Sequence, residues 1–260
     1  MPEDTPALDA RDQVPTNLRL ILLLEEVVNA GAPVTPTEAN AGIGLPKPTL
    51  HRLFHTLEAE GFLQRDIDGR SYGPGRRLRR LALHTLSTQR VRAARLAILR
   101  ALADEIGETC NIAIPDRESM IYLDRVETKW PLRIQLPIGT AVPFHATASG
   151  KMYLSSLKPR MCERLLTSIP LTANTSQTLT EPGALRREIE AIRARDYSTD
   201  DEEFMDGMTA LAVPIRDDRG RLVSTLSVHG PIQRHTVTDL IETLPLLQST
   251  ARDLAATLAE

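Results

Sequence analysis

The sequence predicts an α+β fold: an N-terminal winged helix-turn-helix, a linker helix, and a C-terminal domain whose mainly antiparallel sheet is flanked by helices. Two observations lead to it. The first hundred residues contain short helix patterns, a glycine-bearing turn and a hairpin signal in the order that a winged helix needs. The remaining residues alternate between strand and helix patterns. The predicted divisions are a disordered leader over 1–14, the winged helix-turn-helix over 15–75, the linker helix over 76–102 and the C-terminal domain over 103–260.

Three helices are predicted before residue 62. Apolar residues between Leu20 and Val28 recur at helical spacing, and Ala30-Gly31-Ala32-Pro33 ends that helix. Thr35-Pro36-Thr37-Glu38 is typical of the start of a second, short helix, and Gly42-Ile43-Gly44-Leu45 of a tight turn. The third helix ends at Gly61 and carries its apolar residues on one face. These are Leu50, Leu53, Phe54 and Leu57.

A hairpin and a long helix follow. Phe62-Leu63-Gln64-Arg65 and Arg70-Ser71-Tyr72 are short extended runs, and Asp66-Ile67-Asp68-Gly69 between them contains the Asp-Gly signal of a hairpin turn. We call this hairpin the wing. The span from Arg76 to Leu102 holds no Gly or Pro and is predicted as one long or broken helix.

The C-terminal domain is predicted from alternating patterns. Its strand candidates are 110–114, 119–126, 132–136, 207–215 and 222–229. Its helix candidates are 149–157, 160–167, 183–195 and 236–258. Turns such as Asp217-Asp218-Arg219-Gly220 favour a largely antiparallel sheet.

Composition excludes several classes of protein. No apolar run approaches the ~20 residues that span a bilayer, and residues 1–15 have no apolar signal-peptide core, so we expect a cytoplasmic protein with no membrane partner. Cys110 and Cys162 have no spacing typical of a zinc site or a disulfide framework, and no cofactor is predicted. The net charge is −3, yet residues 45–100 carry 12 Lys and Arg against 4 Asp and Glu. This asymmetry indicates either a polyanion-binding module or a solvated charged helix.

The polar side of the third helix is the candidate DNA-reading surface. Basic and hydroxyl side chains there suit the base edges and phosphates of a major groove, and two arginines flank the tip of the wing. The predicted DNA-binding residues are Lys47, Thr49, His51, Arg52, His55, Arg65 and Arg70. The run from Arg76 to Arg80 suits phosphate contacts, with a solvated helix face as the alternative. His51 and His55 also have the i, i+4 spacing of a metal pair. No third ligand is evident nearby, so metal sensing ranks lower.

A second candidate site begins at His145-Ala146-Thr147-Ala148-Ser149-Gly150-Lys151. Thr147 or Ser149 can cap the following helix, whose free N–H groups would then bind an anion. The segment lacks the GxxxxGK, GxSxG and SxxK patterns, and an ordinary capped helix is the alternative.

Two strand patterns add to this second site. Leu222, Leu226 and Val228 share one face, while Thr225, Ser227 and His229 point the other way. Over 207–215, Met208, Ala210 and Ala212 lie on one face and oppose Thr209, Leu211, Val213 and Ile215. Small and polar groups roofed by a helix N-terminus would form a pocket for a small acid; the alternative is a solvent-facing sheet. One acid of Asp200-Asp201-Glu202-Glu203 could face this pocket and accept a hydrogen bond.

In this order, the motifs resemble those of the IclR family of bacterial transcriptional regulators, over nearly the whole chain from about residue 16. The matching stretches are Gly44 through Leu53, Thr56 through Phe62, Tyr72-Gly73-Pro74-Gly75, His145 through Lys151, Asp200 through Glu203, Gly207 and Ala212-Val213-Pro214. The resemblance implies a winged helix-turn-helix, a linker helix and a GAF-like effector domain, assembled as a homodimer or a dimer of dimers.

The resemblance also implies an effector, mostly a small organic acid, under the helix start at Ala148 and Ser149. The other pocket positions implied by it are Ile134, Val142, Asp200, Met208, Ala210, Ser227 and His229. Three residues depart from the family pattern. Pro48 stands where Ser is usual, Ala210 where Cys is common, and His229 where Ser is common. Pro48 fits a first helical turn, and His229 offers a possible cationic partner for a carboxylate.

The main hypothesis is a DNA-binding transcriptional regulator, without catalysis, whose operator binding is controlled by a small-molecule effector. The alternative is a small-acid-processing enzyme built on the C-terminal domain. It would use Ser149 with Lys151, or His145 with Asp200, as an acid–base pair.

Overall fold

The computed structural model describes residues 15, 17–86 and 89–257, which form two compact units divided between Thr88 and Gln89. The predicted leader over 1–14 lies outside the described residues. The N-terminal unit contains helices α1 (Arg19–Asn29), α2 (Pro36–Ala39) and α3 (Lys47–Ala59), strands β1 (Leu63–Arg65) and β2 (Tyr72–Pro74), and helix α4 (Arg76–Leu86).

The helix-turn-helix is fixed by local hydrogen bonds. Thr35 and Glu38 form a reciprocal capping box at the start of α2. The side-chain amide of Asn40 donates to the carbonyl of Leu45 (2.9 Å), and its oxygen accepts from the Leu45 N–H (2.8 Å). Gly44 has φ +72°, a left-handed conformation that a residue with a Cβ rarely adopts. The Asn40 side chain therefore joins the end of α2 to the backbone just before α3 and fixes the turn between the two helices.

The core of the N-terminal unit lies between α1, α3 and the wing. Buried apolar side chains of α1 and α3 meet Leu63 and Tyr72 of the wing strands. The Phe54 and Tyr72 rings contact edge to face at 5.0 Å. At the wing tip, Asp68 Oδ1 accepts the N–H groups of Arg70 and Ser71. The predicted apolar face of the third helix is thus the buried face.

The C-terminal unit is a six-stranded antiparallel sheet in the order β5-β4-β3-β8-β7-β6, flanked by helices. The strands are β3 (Thr109–Asp116), β4 (Ser119–Val126), β5 (Ala141–Pro143), β6 (Ser198–Asp201), β7 (Met208–Arg216) and β8 (Leu222–Pro231). The helices are α5 (Gln89–Ile106), α6 (Ala148–Ser156), α7 (Pro159–Ser168), α8 (Pro182–Arg195), α9 (Val237–Glu242) and α10 (Leu244–Ala256).

The two faces of this sheet are covered by different helices. Helices α5 and α10 lie against one face, where Leu211, Val213, Leu226 and Val228 are fully buried. On this side, the buried carboxylate of Asp124 in β4 binds Arg92 and Arg95 of α5. Helix α6 lies against the other face and is itself covered by α8.

Several element predictions need correction. Residues 132–136, predicted as a strand, form a loop without sheet pairing, and the short edge strands β5 and β6 were not predicted. The helix predicted over 236–258 is two helices, α9 and α10. The second begins at Leu244 with Pro245 in its first turn, where proline lacks the N–H needed to continue the preceding helix. The helical span predicted from Arg76 to Leu102 contains α4 and the greater part of α5.

Candidate functional site

The polar side of α3 is exposed. Lys47, His51, Arg52 and His55 are all exposed, and Thr49 is half-buried. The opposite side of the helix is the buried face. Pro48 lies in the first turn of α3, where no intrahelical partner for an N–H is lost. The helix therefore presents a continuous basic and polar stripe away from the core.

The arginines around the wing differ in how strongly they are held. Arg65 donates to both carboxylate oxygens of Glu58 (3.0 and 2.8 Å) and to the Gly69 carbonyl, and it stacks over Tyr72 at 4.8 Å. Arg77 binds Glu60 at 2.7 Å and stacks over Phe62. Arg70 is exposed at the wing tip. Arg70 is thus available for a partner, whereas a DNA contact by Arg65 would have to share its guanidinium with Glu58.

The metal-sensing alternative concerns two histidines of α3. His51 and His55 lie on the exposed side of α3. Within the described ranges, no group of three or more His, Cys, Asp or Glu side chains is arranged to hold a metal ion.

The sheet face beneath α6 gathers the predicted effector residues. Ala210 pairs with His229 and with Asp200, and Ala212 pairs with Ser227. Directly paired residues in neighbouring strands point to the same face, and Ala210 and Ala212 pack against Ala148 of α6. The small and polar faces predicted for two separate strands therefore form one surface, which is buried rather than solvent-facing. We call it the α6 face.

Three polar residues that sequence reasoning missed also lie on the α6 face. Asn111 of β3 pairs with Ser227 on one side and with Arg125 of β4 on the other. Beyond a bulge between Ile112 and Ala113, Tyr122 is the residue that pairs with Ala113. The bulge puts Tyr122 and Arg125, three positions apart, on one face, which strict alternation forbids.

The start of α6 lies close to the chain before it. The Thr147 hydroxyl caps the helix by accepting the Gly150 N–H at 3.1 Å. A Cβ on Gly150 would come within 2.4 Å of the Phe144 backbone, so only glycine allows this approach. Ser149 is buried, and its Oγ has no hydrogen-bond partner among the described residues. The first N–H groups of a helix lack intrahelical acceptors, so this helix start can receive an anion.

A buried charged cluster adjoins the α6 face. The Lys151 ammonium of α6 binds the Glu203 carboxylate, and both side chains are buried. Asp200 Oδ1 accepts the N–H groups of Glu203 (2.8 Å) and Phe204 (3.2 Å). Burial raises the pKa of Asp200 to about 7, against the opposing effect of Lys151. Asp200 is thus able to hold a proton near neutral pH.

His229 is held neutral, which corrects its predicted role as a cationic partner. Its Nε2 lies 3.0 Å from the Ser227 hydroxyl. Burial, with the charge of Arg125 adding to it, lowers the pKa of His229 to about 3. In the folded chain the imidazole therefore offers a hydrogen bond and no charge. The buried cation on this face is Arg125.

Other predicted pocket residues take varied positions. Ile134 lies in the loop before β5, and its carbonyl accepts a hydrogen bond from Arg125. Val142 packs in an apolar cluster with Tyr122. Met208 is half-buried at the start of β7. Leu222 was assigned to the face of Leu226 incorrectly. An irregularity between Ile215 and Arg216 shifts the register, and Leu222 packs against the Ala210 cluster instead.

The acid–base pairs of the enzyme alternative are not formed. Lys151 is bound to Glu203, not to Ser149. The His145 Nε2 lies 2.9 Å from the Thr172 carbonyl, not against Asp200. Lys151 and His145 therefore both bind residues other than the ones that the enzyme alternative requires.

Comparison with known families covers nearly the whole chain. A family model described as the IclR helix-turn-helix domain matches residues 18–66. A second, described as the bacterial transcriptional regulator IclR C-terminal, matches residues 83–256. In the part of the chain that the structure describes, no helix is both long and apolar enough to cross a membrane.

Individual relatives agree with the family models. The chain is 37% identical over 243 residues to the probable transcriptional regulator SauR of Cupriavidus necator, covering 94% of this chain and 96% of that one. It is 33% identical over 229 residues to the transcriptional repressor IclR of Escherichia coli, covering 87% and 84%.

Solved structures agree as well. The Thermotoga maritima IclR structure matches with a TM-score of 0.63 at 26% identity, covering 94% of this chain and 99% of that one. An IclR homolog from Microbacterium hydrocarbonoxydans, complexed with 4-hydroxybenzoate, matches with a TM-score of 0.61 at 26% identity and the same coverage.

Proposed function

The chain belongs to the IclR family of bacterial transcriptional regulators, and from this membership we propose that a small organic acid, bound on the α6 face, controls how tightly the N-terminal unit binds operator DNA. The observation that carries the proposal is the start of α6, a helix that lies against a buried polar sheet face. The buried hydroxyl of its second residue, Ser149, has no hydrogen-bond partner among the described residues. The curated relatives are named as regulators and repressors, so the chain is a regulator and not an enzyme.

The exposed stripe of α3 supports the DNA-binding role of that helix. We propose that Lys47, Thr49, His51, Arg52 and His55 contact the major groove, with Arg70 of the wing on the phosphate backbone. Arg65 can contact DNA only where its ion pair with Glu58 breaks. We further propose a homodimer or a dimer of dimers, because helix-turn-helix proteins read two half-sites with two copies.

Operator binding tests the DNA-binding proposal. Binding to DNA upstream of neighbouring genes should weaken steeply as salt rises, because several phosphate contacts release counterions. Arg52→Ala should weaken operator binding by about 1–3 kcal/mol, the value of a specific arginine contact. Gel-shift or anisotropy titration measures both. Arg187→Ala, an exposed arginine of α8, is the matched control. Unchanged affinity of the Arg52 variant would remove α3 as the reading helix.

An acid screen tests the effector proposal. The Microbacterium relative binds 4-hydroxybenzoate, an organic acid, and we propose that the same chemical class binds here. Small carboxylic acids should raise the melting temperature, since a ligand that binds only the folded state stabilises it. Ser227→Ala should reduce that shift. Ser224→Ala is the control, because Ser224 lies on the opposite face, with Leu226. Equal loss in both variants would argue against the α6 face as the site.

A further inference from the structure

Arg125 lies on the α6 face as a buried guanidinium. Its side chain is 4% exposed. It donates to Asn111 Oδ1 at 3.1 Å and to the Ile134 carbonyl. Its charge contributes to the low pKa of His229 and acts against the rise that burial causes in the pKa of Tyr122. The guanidinium therefore lies on the α6 face and not toward solvent.

The charge of Arg125 is only partly compensated within the protein. Its Nε binds Glu127 Oε1 at 3.2 Å, while Arg133 binds Glu127 Oε2 at 2.8 Å. Two guanidinium groups thus share one carboxylate, and the three residues keep one net positive charge. Burial lowers the pKa of Arg125, since a charged group loses hydration there. A buried cation that lacks full compensation favours an anionic partner.

Asn111 supplies an independent sign of a missing partner. Its side-chain oxygen accepts from Arg125, but its Nδ2 is fully buried and has no hydrogen-bond partner among the described residues. An unpartnered buried donor costs about 1–3 kcal/mol, and such groups mark places where a ligand or water binds. The amide lies between Arg125 and Ser227 in the same row of the sheet.

We propose that Arg125 and Asn111 form a second anion-binding end of the effector pocket, so that the effector is a small acid with two negatively charged groups. One group meets the start of α6 and the Ser149 hydroxyl; the other meets the Arg125 guanidinium, which binds a carboxylate or another planar or tetrahedral oxyanion in a fork. This inference rests on the proposed function, since it takes the α6 face as the effector site.

The size of the effector follows from the sheet. Arg125 belongs to β4, and α6 lies mainly over β7 and β8. Because β3 separates β4 from β8, those two backbones lie about 10 Å apart, two strand spacings. The long Arg125 side chain occupies much of that distance. A spine of a few carbon atoms between the two charged groups fits what remains.

Matched acid pairs test the inference. We would titrate the full-length protein by calorimetry at about pH 8, where carboxylates are ionised, with malonate against propionate, succinate against butyrate, and glutarate against valerate. The expected result is that at least one dicarboxylate binds about tenfold or more tightly than its monocarboxylate of equal length. Arg125→Gln should abolish that preference, Arg125→Lys should keep part of it because the charge remains, and Arg219→Gln, an exposed arginine in a turn, should keep all of it.

The outcomes separate this inference from the proposed function. Monocarboxylates that bind as tightly as every dicarboxylate, or an Arg125→Gln protein that retains the preference, would overturn the second anionic end and leave the effector pocket in place. Binding of neither series at any length would overturn both. The preference of the wild-type protein requires no variant, so the inference remains testable even if Arg125→Gln fails to fold.

Discussion

The two units of this regulator place their charged side chains in opposite ways. In the N-terminal unit the basic residues of α3 and the wing tip are exposed, and the buried polar residue described there is the neutral Ser71. In the C-terminal unit buried ionisable side chains are numerous. They include Arg95, Glu108, Asp124, His145, Lys151, Asp200, Glu203 and His229.

The difference follows from the size of each partner. DNA is a large polyanion that approaches from outside, so its contacts are made by solvated charges that add little to folding. A small ligand must be enclosed, so its polar contacts are built into the interior, where each group needs a partner. Removing a buried charge of the C-terminal unit should therefore affect folding, whereas removing an exposed basic side chain of α3 or the wing tip should mainly affect DNA binding.

Removing the buried ammonium of α6 should have the largest effect. Lys151→Met leaves Glu203 buried without its cation, and breaking a buried pair in this way costs about 3–5 kcal/mol. Guanidinium unfolding followed by tryptophan fluorescence measures this loss, because Trp130 is the single tryptophan of the chain and lies in the C-terminal unit.

The double variant Lys151→Met with Glu203→Leu is the control for that measurement. It removes both charges, and we expect it to recover most of the lost stability, as apolar replacements of buried pairs do. A single variant as stable as the wild type would show that the pair is not the structural element that we describe.

Asp200 should give an intermediate effect that depends on pH. Its pKa in the fold, about 7, is above the ordinary value of 3.8. The folded chain therefore keeps a proton that the unfolded chain has lost, and its stability falls as pH rises between those values. Asp200→Asn lacks this loss. Its free energy of unfolding relative to the wild type should increase from pH 3.8 to about 7 and then stay level, measured by denaturant titration across pH.

His229→Gln provides the opposite trend as a control. The pKa of His229 falls from 6.5 to about 3 in the fold, so the wild-type protein loses stability as pH falls through that interval. The variant should gain relative stability toward acid, not toward neutral pH. Parallel profiles for the two variants would mean that the pKa of at least one of the two groups is not shifted as described.

The smallest effect is expected at the surface pair of the N-terminal unit. Glu58→Gln breaks the exposed ion pair with Arg65, and such pairs contribute at most about 1 kcal/mol. Hydrogen exchange of the α3 amides measures the stability of that unit. The freed guanidinium should leave DNA affinity unchanged or raise it. A loss of stability as large as that of Lys151→Met would invalidate the contrast between the units.

The family and the fold class were predicted correctly from the sequence, whereas several elements of the C-terminal unit were not. The winged helix was predictable because its turn, apolar helix face and hairpin are each encoded locally, by Asn40 to Leu45, Leu50 to Leu57 and Asp66 to Gly69. The edge strands β5 and β6 were not predictable in this way. Each has four or fewer residues, which is too few to show the alternation of apolar and polar residues that is typical of a strand. The roles of individual DNA and effector residues stay predictions.

Two polar residues of the α6 face, Tyr122 and Arg125, were hidden from the sequence for one physical reason. In a regular strand, alternate residues point to alternate faces of the sheet, so the face of each residue is predicted from its position. A bulge inserts one extra residue and reverses that assignment for the residues beyond it. The bulge opposite Ile112 and Ala113 brings both Tyr122 and Arg125 to the α6 face, and the register shift after Ile215 moves Leu222 to that same face. An arginine inside a strand otherwise rich in apolar residues was the available signal. The residues beside Arg125 depend on how the strands pair, which the sequence alone does not show.

The carboxylate that binds helix α5 belongs to Asp124, the residue directly before Arg125. Asp124 and Arg125 are consecutive residues that face opposite sides of the same strand, one bound to the arginines of α5 and the other within the α6 face. A single peptide plane, which is rigid, joins them. The guanidinium of the α6 face and the carboxylate that binds α5 are therefore held by one rigid unit, on opposite faces of β4.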